Sequence, residues 1–272
     1  MLDSLKSLLP GVRVAALGLL TLSIAHAGEA PPPVQETVVP ETKPSVVSGT
    51  LSLVADTHFI SYGSDVWATG NNWDDLLFHP SLELGIDLGS GFKLIVGTWW
   101  DVNDNAESSI GDRIQEVDVW AGLGYIVGKW SFTALWQAWM YGEETEGIVD
   151  FKVAYDTFLH PSLTIHGRYD SGAAAGDTGI VGVLGLSEGF SAGPVTFSFP
   201  VNVAFMTDGF QAGDAGFGYV SASANASVPL PFLPGNWTFS AGVTYYYTEP
   251  DVIPLNPDDS FITGSTGLTL TF

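Results

Sequence analysis

Two histidine-proline-serine units contain the residue types that covalent chemistry requires. They are His79-Pro-Ser81 and His160-Pro-Ser162. Residues two apart on a strand share one face, so each imidazole and hydroxyl would lie on the same side. Nucleophilic catalysis also needs a third group that orients the histidine. The favoured interpretation is a proline at a strand start beside a chance His-Ser pair. Hydrolysis by such a pair is kept as an alternative.

A second chemical pattern is a run of acidic and amide side chains between two strands. Asp101, Asn103, Asn105 and Asp112 occupy ligand positions of a twelve-residue calcium loop. Ala106 stands where that loop needs glycine, and Asp112 stands where it needs a bidentate glutamate. We therefore expect a surface loop without a specific metal, with a calcium site at these four residues as the alternative.

The elements that position these groups are β-strands, because apolar and polar residues alternate with period two along much of the chain. The alternation predicts an all-β fold. There are twelve alternating segments, and an even number of strands of this length is typical of a transmembrane antiparallel β-barrel. The segments are 49–60, 76–88, 91–101, 113–127, 129–141, 148–157, 162–169, 178–187, 195–205, 216–228, 237–247 and 261–272. Short turns alternate with longer polar loops, as outer-membrane barrels require. The loops are 61–75, 102–112, 142–147, 170–177, 206–215 and 248–260.

Two segments precede the predicted barrel, which we place at residues 49–272. Residues 1–27 have the parts of a secretory signal peptide, with Lys6 and Arg13 before an apolar stretch and Ala25-His26-Ala27 as the cleavage site. Residues 28–48 are rich in Pro, Glu, Thr and Val, which predicts an extended periplasmic tether.

The composition favours a surface that faces lipid. Charged residues make up 14% of the chain and aromatic residues 12%, whereas soluble domains have about 25% charged residues. Cysteine is absent, which excludes disulfides and thiolate metal sites. A soluble β-sandwich or lipocalin-like barrel would instead place its apolar residues inside. The signal peptide, the low charge and the aromatic-rich strand ends favour the membrane barrel.

The last strand sets the phase of the alternation. Leu268, Leu270 and Phe272 share one face. When that face is taken as lipid-facing, charged residues within the other strands fall mainly on the inner phase. A Lys or Arg facing the bilayer midplane would cost about 2–4 kcal/mol, which explains this sorting. The predicted lumen residues are Glu83, Asp87, Lys93, Asp101, Glu116, Asp118, Asp150, Lys152, Asp156 and Arg168.

Three features resemble known outer-membrane proteins. The Leu268, Leu270, Phe272 row resembles the assembly signal of bacterial outer-membrane β-barrels, which implies the barrel-assembly machinery as a partner. The segment Glu116-Val-Asp-Val-Trp-Ala-Gly122 resembles the E-x-D-x-Y-A-G segment of a group of proteobacterial barrels of unassigned function, with Trp120 replacing the usual tyrosine. This likeness implies location and fold without an activity. The H-x-S spacing is similar to that of outer-membrane phospholipase, a twelve-stranded barrel. The asparagine of that family is missing from the strand after either unit, and the inner phase turns His79 and Ser81 away from lipid.

The charge distribution supports a cationic or neutral solute. The net charge is −22, and the six predicted outer loops hold 17 of the 30 acidic residues. We expect an outer-membrane porin-like channel for cations or small neutral solutes, with no catalysis and no cofactor, in which inward carboxylates set selectivity. The first alternative is a plugged structural or surface-interaction barrel that binds divalent cations or lipopolysaccharide. The second is an outer-membrane lipid hydrolase.

The expected surroundings follow from this class. Twelve strands would place both termini in the periplasm. The partners would be outer-membrane lipid and lipopolysaccharide, and the acidity argues against nucleic acid.

Overall fold

The chain folds as a closed antiparallel β-barrel. The computed structural model describes residues 46–67 and 75–272. The predicted signal peptide and residues 28–45 of the predicted tether lie outside them. The barrel strands are β1 (Val47–Asp56), β4 (Leu77–Gly89), β5 (Phe92–Val102), β6 (Ile114–Val127), β7 (Trp130–Tyr141), β8 (Glu144–Tyr155), β9 (Ser162–Asp170), β10 (Gly179–Ala192), β11 (Val195–Met206), β12 (Gly216–Pro229), β13 (Asn236–Thr248) and β14 (Ser260–Thr271). Two short strands, β2 (Ile60–Ser61) and β3 (Ser64–Asp65), form a separate hairpin.

Each barrel strand pairs with its sequence neighbour, and β1 closes the circle by pairing with both β4 and β14. Closure leaves no unpaired edge, which satisfies the backbone hydrogen bonds of a sheet surrounded by lipid. The predicted fold class and its twelve strands are confirmed among the described residues. The described residues contain no helix long and apolar enough to cross a membrane.

Three segment boundaries were predicted wrongly by four or more residues, and one of them is the end of segment 178–187, which continues as β10 to Ala192. The predicted loop 142–147 is a tight turn at Gly142, and β8 already begins at Glu144. The predicted first strand, 49–60, ends at Asp56, because the chain then leaves the barrel wall and forms the β2–β3 hairpin. Residues 142–146 contain three glutamates, a composition that is typical of an exposed loop. In the structure, however, Glu146 is buried in β8.

The outer face of the barrel is apolar. Leu94 pairs with Leu123 and Leu186 with Val201, and large side chains such as Phe151, which is 50% exposed, face outward. Outward aromatic rings stack near one end of the barrel, where the Phe92 and Tyr125 centroids are 4.4 Å apart. This surface is suited to the hydrocarbon of a bilayer and its aromatic borders.

The predicted phase of the last strand is confirmed. Leu268 and Leu270 pair with Leu53 and Leu51 on the outer face. Phe272 exchanges backbone hydrogen bonds with Gly49 at 2.7 and 3.0 Å. The Phe272 ring lies in the space that a side chain at Gly49 would fill, so glycine there lets the ring pack directly on β1. The role of this row in assembly stays a prediction.

The barrel has two different ends. We call the end where β1 begins and β14 ends the terminal end, and the opposite end the loop end. The terminal end has short connections, such as the turn at Gly193 between β10 and β11. Segments 103–113, 171–178, 207–215 and 249–259 connect strands at the loop end.

Candidate functional site

A segment that we call the plug, residues 57–67, occupies the inside of the barrel. It contains the β2–β3 hairpin. Phe59 lies with its ring centroid 5.1 Å from that of Trp99, an inward residue of β5, and Trp67 donates to Asp101 at 2.8 Å. Because these partners point into the barrel, the plug lies within the lumen, near the loop end. Sequence reasoning had assigned these residues to the end of a strand and an outer loop.

Tyr62 is the centre of the packing between the plug and the barrel. Its side chain is 3% exposed. Its ring stacks on Trp139 at 5.6 Å between centroids and meets His166 and Phe210 edge-on at 5.0 and 5.1 Å. These rings come from β7, β9 and the loop after β11. The plug is therefore packed as a hydrophobic core against several elements.

Hydrogen bonds from the loop-end connections also hold the plug. The Gln211 side chain donates to the Ser61 carbonyl at 2.8 Å. The Asn256 side chain donates to the Gly63 carbonyl at 2.9 Å and accepts from the Asp65 backbone N–H at 2.8 Å. Gly63 has a φ of +85°, which lets the chain reverse between β2 and β3. These bonds satisfy backbone groups that would otherwise be buried without partners.

The inner face differs in accessibility along its length. Near the loop end the inward side chains are buried. Towards the terminal end they are polar and partly exposed, and we call this region the vestibule. Its lining includes Thr50, Ser52, Ser81, Glu83, Lys93, Thr133, Lys152, Thr164, Asn202 and Ser223. The described residues therefore leave the lumen accessible from the terminal end and packed towards the loop end.

Charged side chains gather on one side of the buried lumen, on β1 and β4 to β9. We call this set the charged wall. Its members are Asp56, His79, Asp101, Glu116, Asp118, Glu146, Asp150, His166 and Arg168. At the same level, β10 to β14 present Val181, Val183, Ala204, Met206, Tyr219, Tyr246 and Phe261. The lumen is therefore electrostatically asymmetric.

His79 links three parts of the charged wall. Its Nδ1 lies 2.6 Å from Asp56 Oδ2 and its Nε2 lies 3.2 Å from Asp101 Oδ1. Asp101 also accepts from Asn103 at 2.8 Å. Two carboxylates hold the imidazole from both sides, which fixes its orientation within the wall.

Two further networks complete the charged wall. Asp150 accepts from Gln137 at 2.5 Å and lies 2.7 Å from His166 Nδ1. Arg168 Nε donates to Glu146 Oε1 at 2.5 Å, and its Nη1 donates to the Phe210 carbonyl at 2.6 Å. The Arg168 guanidinium also lies 3.9 Å from the Phe210 ring centroid. Arg168 therefore connects the wall to the loop after β11.

Acidic groups outnumber cationic groups in this interior. Seven carboxylate residues are buried among the described residues, against one arginine and three histidines. Burying unpaired carboxylates is costly, so the excess favours cations or shared protons in the lumen. Burial, together with the Asp150 and Glu146 charges, raises the pKa of the Tyr62 phenol well above its ordinary value. The Tyr62 hydroxyl therefore stays neutral beside these carboxylates.

The structure distributes the predicted lumen residues over three regions. Asp101, Glu116, Asp118, Asp150 and Arg168 lie in the charged wall. Glu83 lies in the vestibule with Lys93 and Lys152, and it accepts from the Trp120 indole at 3.2 Å. Asp87 lies at the exposed terminal rim and accepts from the Gly89 backbone N–H at 2.8 Å.

The assignment of Asp156 to the lumen is corrected. It lies in the turn after β8, where its exposed carboxylate is 3.4 Å from the His160 imidazole. The predicted strand continued to residue 157, but β8 ends at Tyr155. Asp156 therefore belongs to the terminal-end surface.

The calcium-loop candidates do not come together around a common point. Asp101 points into the lumen and is bound by His79, Trp67 and Asn103. The Asn103 side chain accepts from the Asn105 backbone N–H, and Asp112 is exposed with a φ of +53°. Within residues 46–67 and 75–272, no group of three or more His, Asp or Glu residues is arranged to hold a metal ion.

The His-Pro-Ser units do not present a nucleophile to lipid. His79 is buried inside the barrel, and Ser81 shares its inward phase. His160 lies in a terminal-end turn beside Asp156. This geometry gives no support to lipid hydrolysis at the outer surface.

Sequence reasoning missed several members of the site. Asp56 was not singled out, Glu146 was placed in a loop, and His79 was treated as part of a chance pair. The inward phase of β4 already pointed His79 into the lumen. Its two carboxylate partners depend on pairing between β1, β4 and β5, which alternation within one strand does not determine.

The fold and its surface define a closed twelve-stranded antiparallel β-barrel of the transmembrane type, with an apolar outer face and a polar, largely acidic inner face. No protein-family model and no curated protein matches the chain. Similar solved structures include the KdgM porin, at 9% identity and a TM-score of 0.48, covering 82% of this chain and 99% of that one. The NanC porin has 11% identity and a TM-score of 0.47, covering 81% and 98%. LpxR from Salmonella typhimurium has 10% identity and a TM-score of 0.43, covering 83% and 100%. At these values the likenesses carry no inference about solute or chemistry.

Proposed function

We propose that the protein is an outer-membrane channel for cations or small neutral solutes whose lumen the plug closes at rest. The observation that carries the proposal is the excess of buried carboxylates on the lumen wall against which the plug packs. Inward Asp and Glu residues attract cations and repel anions in a narrow pore. The partly exposed vestibule supplies an aqueous approach to this wall from the terminal end.

The proposed orientation places the terminal end and both termini in the periplasm. Short turns on that side and longer loops on the other are typical of outer-membrane barrels. The loop end, with Asp258 and Asp259 among its exposed acids, then faces the outside. Assembly would proceed through the barrel-assembly machinery, with the Leu268, Leu270, Phe272 row as its signal.

Ion selectivity in planar bilayers tests the channel proposal. In a potassium chloride gradient, the full mature chain should show intermittent openings. The sign of the reversal potential should show that potassium permeates more readily than chloride. Glu83→Gln should shift that potential towards anions, and the matched change Lys93→Gln should shift it towards cations, because both side chains line the vestibule. An anion preference in the unmodified protein would contradict the proposed role of the carboxylates.

A permanently plugged structural or surface-interaction barrel is the second candidate. The packing of Tyr62 against Trp139, His166 and Phe210 favours it, because this core would have to open for solute to pass. The acidic loops would then bind divalent cations that bridge to lipopolysaccharide phosphates. A protein that never conducts, and whose stability falls when a chelator removes divalent cations, would support this candidate against the channel.

A further inference from the structure

Three polar atoms in the interior between the plug and the charged wall lack a hydrogen-bond partner. They are Tyr62 Oη, Asp118 Oδ1 and His166 Nε2. All three side chains are more than nine-tenths buried. Buried polar atoms without partners are rare, since each costs about 1–3 kcal/mol. All three belong to side chains around the Tyr62 ring and its stacking partner Trp139, where a bound species can supply the missing interactions.

The surroundings bring Tyr62 and Asp118 to the same region. Trp139 is the cross-strand neighbour of Asp118, and the Tyr62 ring stacks on Trp139. The Asp118 charge also acts on the Tyr62 hydroxyl. His166 also meets the Tyr62 ring edge-on. The Tyr62 ring thus packs on β7 and β9, and Asp118 of β6 is the cross-strand neighbour of its stacking partner.

The charge of this region selects the kind of ligand. Around Tyr62 lie the carboxyl groups of Glu146, Asp150 and Asp118, against the single guanidinium of Arg168. Glu116 and Asp118 both point inward from β6, and their carboxyl groups hydrogen-bond to each other through one shared proton, so the pair keeps one negative charge. Glu146 is occupied by Arg168 and Tyr141, and Asp150 by His166 and Gln137. The free carboxylate oxygen is therefore that of Asp118, and a cation is the species that it favours.

The donor set fits a small monovalent cation. Oxygen atoms of one carboxylate and one phenol are ligands for hard cations, and water completes such shells. The described residues contain no group of three or more His, Asp or Glu placed to hold a metal ion, so the carboxylate-rich shell of a calcium site is not present there. His166 Nε2 can accept from a water of the shell when Nδ1–H is donated to Asp150. Trp99 is the cross-strand neighbour of Asp118 on β5, and its indole N–H has no partner. This N–H can donate to another water.

We propose that the interior binds one sodium or potassium ion through the Asp118 carboxylate and the Tyr62 hydroxyl, joining the plug to the barrel wall. The site stands whether or not the barrel conducts, since it depends only on the folded plug. A ligand that binds the folded state alone stabilises it by an amount that grows with the logarithm of its concentration above the dissociation constant. Bound cation would therefore hold the plug inside the lumen.

Cation-dependent unfolding of the full refolded chain in detergent micelles tests the site. Sodium, potassium and the bulky cation N-methylglucamine are compared as chlorides at equal ionic strength. Sodium or potassium should stabilise the protein through the site. Well above the dissociation constant, each tenfold rise in its concentration should raise the folded-to-unfolded ratio about tenfold at constant total salt. N-methylglucamine should give no such rise.

Two variants locate the effect. Asp118→Asn keeps the shape of the side chain but should abolish the dependence on cation identity, and Tyr62→Phe should reduce it at least severalfold. Asp87→Asn, at the exposed terminal rim, is the matched control and should keep it. Equal stability in all three salts, which indicates screening only, would overturn the proposal. Retention of the full cation dependence in Asp118→Asn would overturn it as well.

Discussion

Arg168→Met is expected to lower the free energy of unfolding by about 3–5 kcal/mol, the usual cost of removing one partner from a buried ion pair. Both Arg168 and Glu146 side chains are 3% exposed, and the Nε to Oε1 distance is 2.5 Å. Methionine keeps much of the aliphatic stem but leaves the Glu146 carboxylate uncompensated and the Phe210 carbonyl without its donor. Equilibrium unfolding in urea of the refolded protein measures the loss.

Two control variants separate charge from packing in this measurement. The double variant Arg168→Met, Glu146→Gln should recover most of the loss, because it leaves no buried charge at this position. Arg113→Met removes the exposed pair with Asp104, whose side chains are 66% and 72% exposed, and should cost about 0–1 kcal/mol. If Arg168→Met costs no more than Arg113→Met, the buried pair does not stabilise the barrel as described.

Tyr62→Ala is expected to cost about 3–5 kcal/mol, the range for truncating a large buried aromatic side chain. The change removes the ring that packs on Trp139, His166 and Phe210 and leaves a cavity between the plug and the wall. If the plug is the closing element, the same change should raise the fraction of time that the channel is open. The conductance of the open state should stay the same, because the wall is unchanged.

Matched variants make the Tyr62 result specific. Tyr62→Phe keeps the packed ring and loses only the hydroxyl, so its open fraction should rise much less than that of Tyr62→Ala. Tyr245→Ala truncates an aromatic ring on the outer face and should leave gating unchanged. Unfolding in urea and single-channel recording are made on the same preparations. A large loss of stability in Tyr62→Ala without any change in open fraction would favour the structural barrel over the channel.

The barrel itself was predictable because its signal is local. Period-two alternation is a property of each strand alone. The outward phase of Leu268 and Leu270, carried to the other strands, places their charged residues on the inner face. The boundary at 142–147 failed for a tertiary reason. Glu146 resembled a loop residue because its partner, Arg168, comes from another strand.

The plug could not be predicted from strand patterns. The alternating pattern places Phe59 and Ile60 in the predicted first strand and Tyr62 in the predicted loop after it. In the structure these three apolar residues fold back into the lumen. Their environment is created by side chains from β5, β7 and β9, which only the closed barrel brings together. The charged wall has the same origin, because its pairings depend on register between strands.

Cysteine labelling tests most directly whether the plug lies inside the lumen. The natural chain has no cysteine, so Ile60→Cys and Val66→Cys each introduce a single thiol in the same segment. Ile60 is 2% exposed and Val66 is 43% exposed. In the folded protein, Ile60→Cys should react with a polar maleimide about 100-fold more slowly than Val66→Cys. This ratio corresponds to a free energy of about 2.8 kcal/mol for the local opening that exposes residue 60. The two rates should become equal in urea. Equal rates in the folded protein would contradict a plug packed within the barrel.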